Sequence, residues 1–583
     1  MLTTAARRGS RPALDSGGRA GAPCGMPAVI ESLPEPGADE PGVEVSVIRG
    51  GEVIAQRYAG LASLESRIPI GPQTRFHIVS VSKTFAAAAV LVLAARGTLS
   101  LDDDIRRYLP ELPGPARPGE SAVTIRHLLS MTSGLRDVLE IERLRGVWTS
   151  APSRTRELLD LAYRQVAVSA PAGAQYMYAN VNALLLDELI ARVSGVPADA
   201  FRRAALYEPL GLTATTARPH DGVVMPDLAE PYVPDGRGGW SRPRDLLGIA
   251  ADTLTTNLGD LTRWLLALRT GTVNGVAVTA PMAERTRLRD GTPIYYGLGL
   301  SVRRYRGLTV LCHTGSQPGY KAHVAYAPQR DLGVVILSNR EDTSPAALAA
   351  SIMAEVIGDD FPALHPAAGA DRRAGETALT ATQRSAVEGS YVDVETGEWV
   401  ALRLEDGVLR GETLGDPVFL YDEGRGVFRD GDDYRATVPA EVRIEPGPHP
   451  GEVTCRMNLG GQRIALRKCR APRYTAEALG ALAGRYEGPE IASRHSIRVE
   501  DGALSVEYGT GVDRVLRFAM EPIAPDIFLV RPTAPGVAYR HVFRFERDAA
   551  GAVVSAVVTM ERLKGVRLRR VAGYLPSSAA SGA

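Results

Sequence analysis

Ser80 and Lys83 stand three residues apart at the start of a long apolar stretch. Residues at this spacing share one face of a helix, so the hydroxyl and the amine can meet. A neutral lysine amine can accept the hydroxyl proton and make the serine a nucleophile, and burial lowers the lysine pKa toward that role. Arginine cannot replace it, because arginine stays protonated. Taken alone, the motif is more typical of a capping serine beside a surface lysine.

Tyr178 and Asn180 form a second polar cluster, directly before an apolar helical segment. A phenol near the nucleophile can pass protons to a leaving group, and the asparagine amide can bond the amide of a substrate. The structural alternative is a core aromatic followed by a helix N-cap.

A third cluster, His313-Thr314-Gly315-Ser316, follows the apolar strand segment Leu308–Cys312. The glycine lets a substrate lie against this edge like an added strand, and the Ser316 N–H can pair with the Ser80 N–H as an oxyanion hole. Read by itself, His313 is more often a satisfied histidine at a strand end than a catalytic one.

The elements that must position these residues are both helical and extended. Alternating residues around a glycine turn predict a β-hairpin over 43–59. Helical patterns and apolar strand patterns then mix irregularly up to about residue 362, which indicates an α/β or α+β domain. Helices are predicted over Val79–Ala95, Val181–Val193 and Leu258–Leu268, and strands over Leu308–Cys312 and Val334–Leu337.

In this chain order the three motifs resemble those of the penicillin-recognising serine hydrolases, which combine Ser-x-x-Lys, Tyr-x-Asn and Lys/His-Thr-Gly. The likeness extends through His127–Asp137, Tyr296–Gly299 and Asp331–Asn339, and covers about residues 40–350. It implies a β-lactamase/transpeptidase-like domain. The resemblance further implies catalytic roles for Ser80 as nucleophile, Lys83 as its base partner, Tyr178 as proton shuttle and His313 as third-motif residue, with Asn180, Thr314, Gly315 and Ser316 binding the substrate.

Most β-lactamases carry lysine at the position of His313, where a permanent cation attracts a substrate carboxylate. A histidine there predicts a weaker or pH-dependent attraction, which argues against a penicillinase. Lys321, six residues beyond Gly315, lies close in sequence but has no assigned role.

The C-terminal part of the chain repeats itself. Gly389-Ser390-Tyr391 matches Gly484-Arg485-Tyr486, and 402–407 matches 497–502, both at an offset of 95 residues. Short alternating runs broken by Asp-Gly turns are typical of small antiparallel barrels or sandwiches. We therefore expect two related antiparallel β-barrel domains after the catalytic domain.

The predicted layout is a disordered tail over 1–26, a catalytic domain over 27–362, a linker over 363–380, barrels over 381–472 and 473–573, and a disordered tail over 574–583. This arrangement is similar to that of the D-stereospecific aminopeptidases. There, the resemblance implies, a loop from the last module enters the active site and restricts it to short substrates with a free N-terminal D-residue. The predicted counterpart is Arg531–Arg540, which contains no carboxylate to meet a substrate ammonium.

The composition of the chain argues against several classes of binding partner. The 67 basic and 67 acidic residues cancel, so the broad positive footprint of a nucleic-acid binder is missing. Residues 1–25 contain no apolar run of the secretory kind, and the longest apolar stretch, 85–95, is too short to span a bilayer. The four cysteines show no metal pattern; Cys455 and Cys469 could meet across a hairpin, but two reduced thiols are the simpler interpretation. We expect a cytoplasmic protein with no metal or other cofactor and no nucleic-acid or membrane partner.

The leading hypothesis is a serine hydrolase that removes N-terminal D-amino acids from amides and short peptides through an acyl-enzyme on Ser80. Alternatives in the same class are an esterase and a D,D-carboxypeptidase or β-lactamase-like hydrolase. An alternative of another class is a catalytically silent protein that binds a ligand through the β modules. The intact Ser80, Lys83 and Tyr178 weigh against silence, and family resemblance suggests a homodimer.

Overall fold

The computed structural model describes residues 28–31, 36–112, 122–146, 155–218, 223–243, 254–361, 385, 387–405, 408–415, 417–424, 426–429, 439–446, 453–509, 516–531 and 540–571. The predicted tails over 1–26 and 574–583 and the predicted linker over 363–380 lie outside these residues.

A mostly antiparallel sheet forms the centre of the catalytic domain. Its middle strand, Leu332–Ser338, is buried at every position, as expected for an apolar run covered on both faces. The helix Leu258–Thr270 packs on one face and the helix Pro345–Ile357 on the other. In spatial order the strands are Pro36–Pro41, Glu52–Ser63, Val43–Arg49, Leu332–Ser338, Tyr320–Ala327, Leu308–Gln317 and Ser301–Tyr305, with Ile68–Pro69 beside Glu52–Ser63.

A helical layer beside this sheet holds Ser80, the predicted nucleophile. The helix Ser82–Ala95 is buried almost throughout, because its Ala, Val and Leu residues leave no polar face. Around it lie the α-helices Ile125–Leu129, Val138–Leu144, Thr155–Tyr163, Asn180–Ser194, Ala198–Arg202, Glu208–Leu210 and Thr279–Ala283, with a π-turn at Arg203–Tyr207; Ala28–Glu31 is a further short helix. Short strand pairs complete the domain at Phe76–His77, Thr216–Ala217 and Leu254–Thr256, at Val233–Pro234 and Trp240–Ser241, and at Thr272–Val273 and Val276–Ala277.

Two closed antiparallel barrels of eight strands follow the catalytic domain. Closure removes the free strand edges that would otherwise invite pairing with other chains. The first barrel comprises Gly389–Val392, Trp399–Glu405, Val408–Thr413, Val418–Gly424, Val427–Arg429, Ala440–Pro446, Val453–Leu459 and Gln462–Cys469. The second comprises Gly484–Gly488, Ser493–Glu500, Ala503–Gly509, Leu516–Ala524, Ile527–Val530, His541–Arg547, Val553–Thr559 and Val566–Arg570, and is preceded by the helix Ala476–Leu482.

The repeated Gly-x-Tyr has the same structural role in both barrels. Tyr391 donates its hydroxyl to the Val387 carbonyl at 2.7 Å, and Tyr486 donates to the Leu482 carbonyl at 2.7 Å. Both rings are fully buried. Residues of the two repeats that lie 95 positions apart in the sequence therefore occupy equivalent positions in the cores of the two barrels.

The two barrel cores differ in whether they are continuous with the core of the catalytic domain. The first barrel has an apolar core of its own. The core of the second barrel is continuous with that of the catalytic domain. It also contains two buried histidines, His495 and His541, and His541 contacts the Tyr508 hydroxyl. Burial lowers the pKa of each histidine to about 3, so both are neutral at pH 7.

The cysteines are free where the structure describes them. Cys312, Cys455 and Cys469 are thiols, and in the ladder Cys455 faces Leu466 while Cys469 faces Ser390. No helix in the described ranges is both long and apolar enough for a membrane crossing.

Candidate active site

Ser80 lies in a single 3-10 turn, Val79–Val81, that leads into the helix Ser82–Ala95. The Lys83 Nζ is 3.0 Å from the Ser80 Oγ, and the lysine is only 3% exposed. The preceding Val79 has a φ of 46°, which is unusual for a β-branched residue and strains the backbone next to the nucleophile. The predicted helix thus begins three residues later than expected, and the strained turn presents the hydroxyl to the cavity.

The third motif lies inside a strand and not at its end. The strand Leu308–Gln317 contains His313 to Ser316 and ends five residues beyond the predicted Cys312 boundary. Its neighbour Ser301–Tyr305 stops pairing at Cys312, so the segment from His313 onward extends past that strand. A Cβ on Gly315 would lie 2.2 Å from the Ile78 carbonyl oxygen and 3.1 Å from the Ser80 nitrogen. The glycine is required because the strand passes directly against the turn of the nucleophile.

His313 is buried and neutral. Its Nδ1 lies 3.1 Å from the Thr314 carbonyl oxygen, which can only accept, so Nδ1 carries the proton and Nε2 accepts from the Tyr296 hydroxyl at 2.9 Å. Burial, and after it the neighbouring basic group of Lys83, lowers the pKa of His313 to about 3. The weaker attraction predicted from sequence is therefore not pH-dependent near neutrality, because no imidazolium forms there.

Tyr178 stands between two basic side chains. The Lys83 nitrogen is 5.3 Å from the centre of its ring, and the guanidinium carbon of Arg562 is 5.0 Å from it. The Tyr178 hydroxyl is buried and has no hydrogen-bond partner among the described residues. It is thus placed to exchange a proton with a group that enters the cavity.

Asn180 is fixed by a residue that the sequence did not single out. Ala179 is the N-cap of the helix Asn180–Ser194, so Asn180 is its first residue and not the cap. The Asn180 backbone N–H and side-chain amide both donate to the Asp137 carboxylate. Asp137 also caps the helix Val138–Leu144 by accepting from Leu139 N–H at 2.8 Å. One carboxylate thereby ties two helix starts together beside the nucleophile.

Lys321, which had no assigned role, lies opposite Ser316 on the neighbouring strand. Its ammonium donates to the Ser316 Oγ at 2.8 Å and to the Glu341 carboxylate at 2.8 Å. Glu341 in turn accepts from the Gly319 N–H at 2.7 Å. This network orients the segment that carries the Ser316 N–H.

A cavity of about 810 Å³ contains these motifs, and all three domains line it. The catalytic domain contributes Ser80, Tyr178, Asn180, His313, Thr314 and Ser316 among others. The first barrel adds residues such as Glu398, Trp399 and Leu459, and the second adds Arg540, Glu561, Arg562 and Lys564. The barrels therefore form part of the wall of the predicted catalytic site.

The second barrel reaches this cavity through the connection Met560–Gly565, here called the insertion hairpin, which joins its last two strands. The Asp137 N–H donates to the Arg562 carbonyl at 3.1 Å, and the Arg562 N–H donates to Glu140 at 2.8 Å. Arg136 binds the carbonyls of Lys564 and Gly565 at 3.2 and 2.9 Å. The hairpin is thus held mainly through its backbone.

Glu140 is an unusual anchor, because it is fully buried. Burial, followed by the nearby carboxylates of Glu561 and Asp137, raises the pKa of Glu140 to about 8 despite the opposing charges of Arg562 and Arg143. At pH 7 the carboxyl group is mostly protonated while one oxygen accepts from the hairpin.

The predicted loop Arg531–Arg540 is described only at its ends. Arg531 and Arg540 both bind Glu412 of the first barrel, and Arg540 lines the cavity. The intervening residues lie outside the described part of the chain. The insertion hairpin was not predicted to enter the site, although its four extra residues relative to the first barrel were a readable signal.

All eight predicted site residues belong to one constellation. Ser80, Tyr178, Asn180, His313, Thr314 and Ser316 line the cavity, Lys83 bonds Ser80, and Gly315 packs against the turn of Ser80. Sequence reasoning missed the positioning residues Tyr296, Asp137 and Glu140, and the barrel residues Glu561 and Arg562. Tyr296 and Asp137 did fall within stretches that carried the family resemblance.

Comparison with known proteins agrees with this geometry. The chain is 26% identical over 511 residues to a D-aminopeptidase of Cereibacter sphaeroides, covering 84% of this chain and 88% of that protein. It is 23% identical over 560 residues to a D-aminopeptidase of Brucella ovis, covering 94% and 98%. The octameric penicillin-binding protein homologue of Pyrococcus abyssi has the same fold, with a TM-score of 0.50, 23% identity and coverage of 73% of this chain and 96% of that one. The model of the Beta-lactamase family matches residues 29–357, more than half of the chain, and the chain therefore belongs to that family.

Proposed function

We propose that this protein is a serine hydrolase that releases N-terminal D-amino acids from amides and short peptides through an acyl-enzyme on Ser80. The observation that carries the proposal is the 3.0 Å contact between the buried Lys83 amine and the Ser80 hydroxyl, within a cavity narrowed by two barrels. Relatives named D-aminopeptidase that match over 84% and 94% of the chain support the substrate class.

Acylation follows from the positions of three groups. The Ser80 Oγ attacks the carbonyl carbon while its proton passes to the neutral Lys83 amine. The N–H groups of Ser80 and Ser316 stabilise the resulting oxyanion. The carbon–nitrogen bond then breaks as the leaving nitrogen takes a proton from the Tyr178 hydroxyl, which Lys83 reprotonates. Water attacks the ester in the second half, and the proton movements run in reverse.

Recognition of a free amine requires an anion, and the insertion hairpin provides one. Glu561 lines the cavity with 28% of its side chain exposed. A Cβ on Gly415 would lie 2.2 Å from the Glu561 side chain, so this glycine of the first barrel makes room for the carboxylate. The absence of a carboxylate in Arg531–Arg540 therefore does not count against amine recognition.

The nucleophile is tested by intact-mass analysis after incubation with a fluorophosphonate. We expect a single adduct that is lost in Ser80→Ala and retained in Ser82→Ala, the matched control two residues away. An adduct that persists in Ser80→Ala would contradict the assignment, as would the absence of any adduct on the native chain.

The substrate class is tested with D-Ala-p-nitroanilide, its L isomer and N-acetyl-D-Ala-p-nitroanilide. We expect the free D form to be hydrolysed fastest, and Glu561→Gln to reduce its advantage over the acetylated form. Faster hydrolysis of the acetylated form by the native chain would defeat the aminopeptidase proposal and favour an esterase or a D,D-carboxypeptidase.

A cytoplasmic location and a homodimer are part of the same proposal and rest on the sequence. Fractionation of the source cells tests the first. Light scattering on the purified chain tests the second, for which a mass twice that of one chain is expected.

A further inference from the structure

The third motif has a histidine where a lysine would attract a carboxylate, and the neighbouring Lys321 ammonium is already bonded to Ser316 and Glu341. His313 is neutral because its pKa is lowered to about 3, so it cannot attract a carboxylate as a lysine would. Any cation that selects an anionic substrate must therefore come from another element.

Arg562 of the insertion hairpin supplies a cation beside the proton donor. Its guanidinium carbon lies 5.0 Å from the centre of the Tyr178 ring, and its side chain is 23% exposed and lines the cavity. The backbone bonds of Arg562 to Asp137 and Glu140 fix where the side chain emerges. The position of this cation is consequently set by the main chain.

Tyr178 identifies which part of a substrate meets Arg562. Because Tyr178 gives its proton to the leaving nitrogen, the space around its ring is the leaving-group side of the cavity. We infer that Arg562 binds a carboxylate on the leaving group, so that the protein prefers acyl donors whose departing part carries a free carboxylate over matched carboxamides. For peptides this means a free C-terminus one residue after the scissile bond. This inference deepens the proposed function and rests on its assignment of Tyr178 as the proton donor to the leaving group.

Charge and geometry both favour this role. The titratable residues that line the cavity include six basic and four acidic side chains, a surplus of positive charge. The guanidinium also has a planar set of donors that matches a carboxylate with two parallel bonds. The basic residues are Arg143, Arg303, Lys321, Arg540, Arg562 and Lys564, and the acidic ones are Glu341, Asp342, Glu398 and Glu561.

Glu561 competes with a substrate for this cation. The Arg562 Nε lies 3.3 Å from the Glu561 carboxylate, and the two side chains are 23% and 28% exposed. A substrate carboxylate can take the place of Glu561, because one ion pair with Arg562 forms as the other is lost.

The test uses two substrate pairs that differ only in the charge of the leaving group. The first pair is D-Ala-Gly and D-Ala-Gly-NH2. The second pair, the acetyl thioesters of mercaptoacetate and mercaptoacetamide, contains no amino group. We expect the full-length protein to prefer the carboxylate member by about 10-fold in kcat/KM, mainly through KM, as one charge-assisted contact provides. Added salt should reduce the preference.

Variants at Arg562 then show whether this residue causes the preference for the carboxylate substrate. Arg562→Met should bring the two members of each pair within about twofold, and Arg562→Lys should restore part of the difference. Arg567→Met, on an exposed residue of the same barrel, is the matched control and should keep the full preference.

The outcomes separate the two proposals. No preference in the native protein, or an equal loss for both members in Arg562→Met, overturns the role of Arg562. An Arg562-dependent preference in the thioester pair without hydrolysis of the D-alanyl pair supports that role and defeats the aminopeptidase proposal. A circular dichroism spectrum and melting temperature for each variant show that the fold is retained.

Discussion

In the first barrel, Gly460 and Gly461 alone join the last two strands, whereas in the second barrel Met560–Gly565 make the same connection. Both connections face the catalytic domain. A Cβ on Gly461 would lie 2.4 Å from the Ile294 side chain, so the short hairpin packs as a flat surface. The longer one reaches Tyr178. One copy of a duplicated barrel can thus form a wall of the cavity while the other places charged side chains in it. The difference lies in four added residues in the last hairpin.

The largest expected effect comes from making the second hairpin resemble the first. Val558 pairs with Val566, so replacing Met560–Lys564 by Gly-Gly keeps Thr559 opposite Gly565. We expect kcat/KM on D-Ala-p-nitroanilide to fall by about 100-fold, because the site loses Glu561, Arg562 and the backbone bonds to Asp137 and Glu140. Fluorophosphonate labelling of Ser80 should persist.

Gly460→Asn is the matched change in the first barrel. Asparagine tolerates the left-handed φ of 62° found there, so kcat/KM should stay within about twofold. Unchanged kcat/KM in the shortened second hairpin would mean that both hairpins are only structural contacts.

A smaller expected effect is a difference between the two barrels in their stability at acidic pH. The pKa values of His495 and His541 are lowered to about 3 in the folded chain, against 6.5 when unfolded. Between these values the unfolded state binds more protons, so stability is complete above pH 6.5 and is lost as pH falls toward 3. At pH 5 each histidine should cost on the order of 2 kcal/mol.

The first barrel has no histidine among its described residues, so it serves as the internal control. Hydrogen exchange at pH 7 and pH 5 should show protection falling first in the strands of the second barrel. Equal loss of protection in both barrels would show that the two histidines are not responsible.

The smallest expected effect concerns the feature that the barrels share. Tyr391→Phe and Tyr486→Phe each leave one buried carbonyl without its hydroxyl donor, which should cost about 1 kcal/mol of unfolding free energy. Only Tyr486→Phe should lower the temperature of heat inactivation, because only the second barrel shares its core with the catalytic domain. An equal shift of inactivation temperature in both variants would mean that the barrels support the site equally.

Local pattern made much of this architecture predictable. Ser80 and Lys83 could be paired because helical spacing alone brings them together, and the barrels could be expected because Gly-x-Tyr recurs at one offset. The predicted β-lactamase-like domain and the two predicted antiparallel barrels are confirmed by the family match and the sheet topology, which adds that each barrel has eight strands.

Other features depend on contacts between distant residues, which leave no periodic trace. Nothing local to Val79 announces a positive φ, since the strain arises where the strand of Gly315 crosses the turn. Asp137 resembles an ordinary helix cap until the helix of Asn180 packs against it. Arg562 and Tyr178 meet only because the second barrel docks on the helix Val138–Leu144.

The closure of the cavity by the last hairpin also has a consequence in time. The three motifs are complete once Ser316 is synthesised, and the roughly 250 residues from there to Arg562 take about 12–50 s to add at typical rates. During that interval the three motifs can already assemble, but the cavity still lacks the walls that the barrels provide. A ribosome-bound chain that does not yet include the insertion hairpin would then be a less selective hydrolase than the finished protein, because the residues that restrict the substrate are synthesised last.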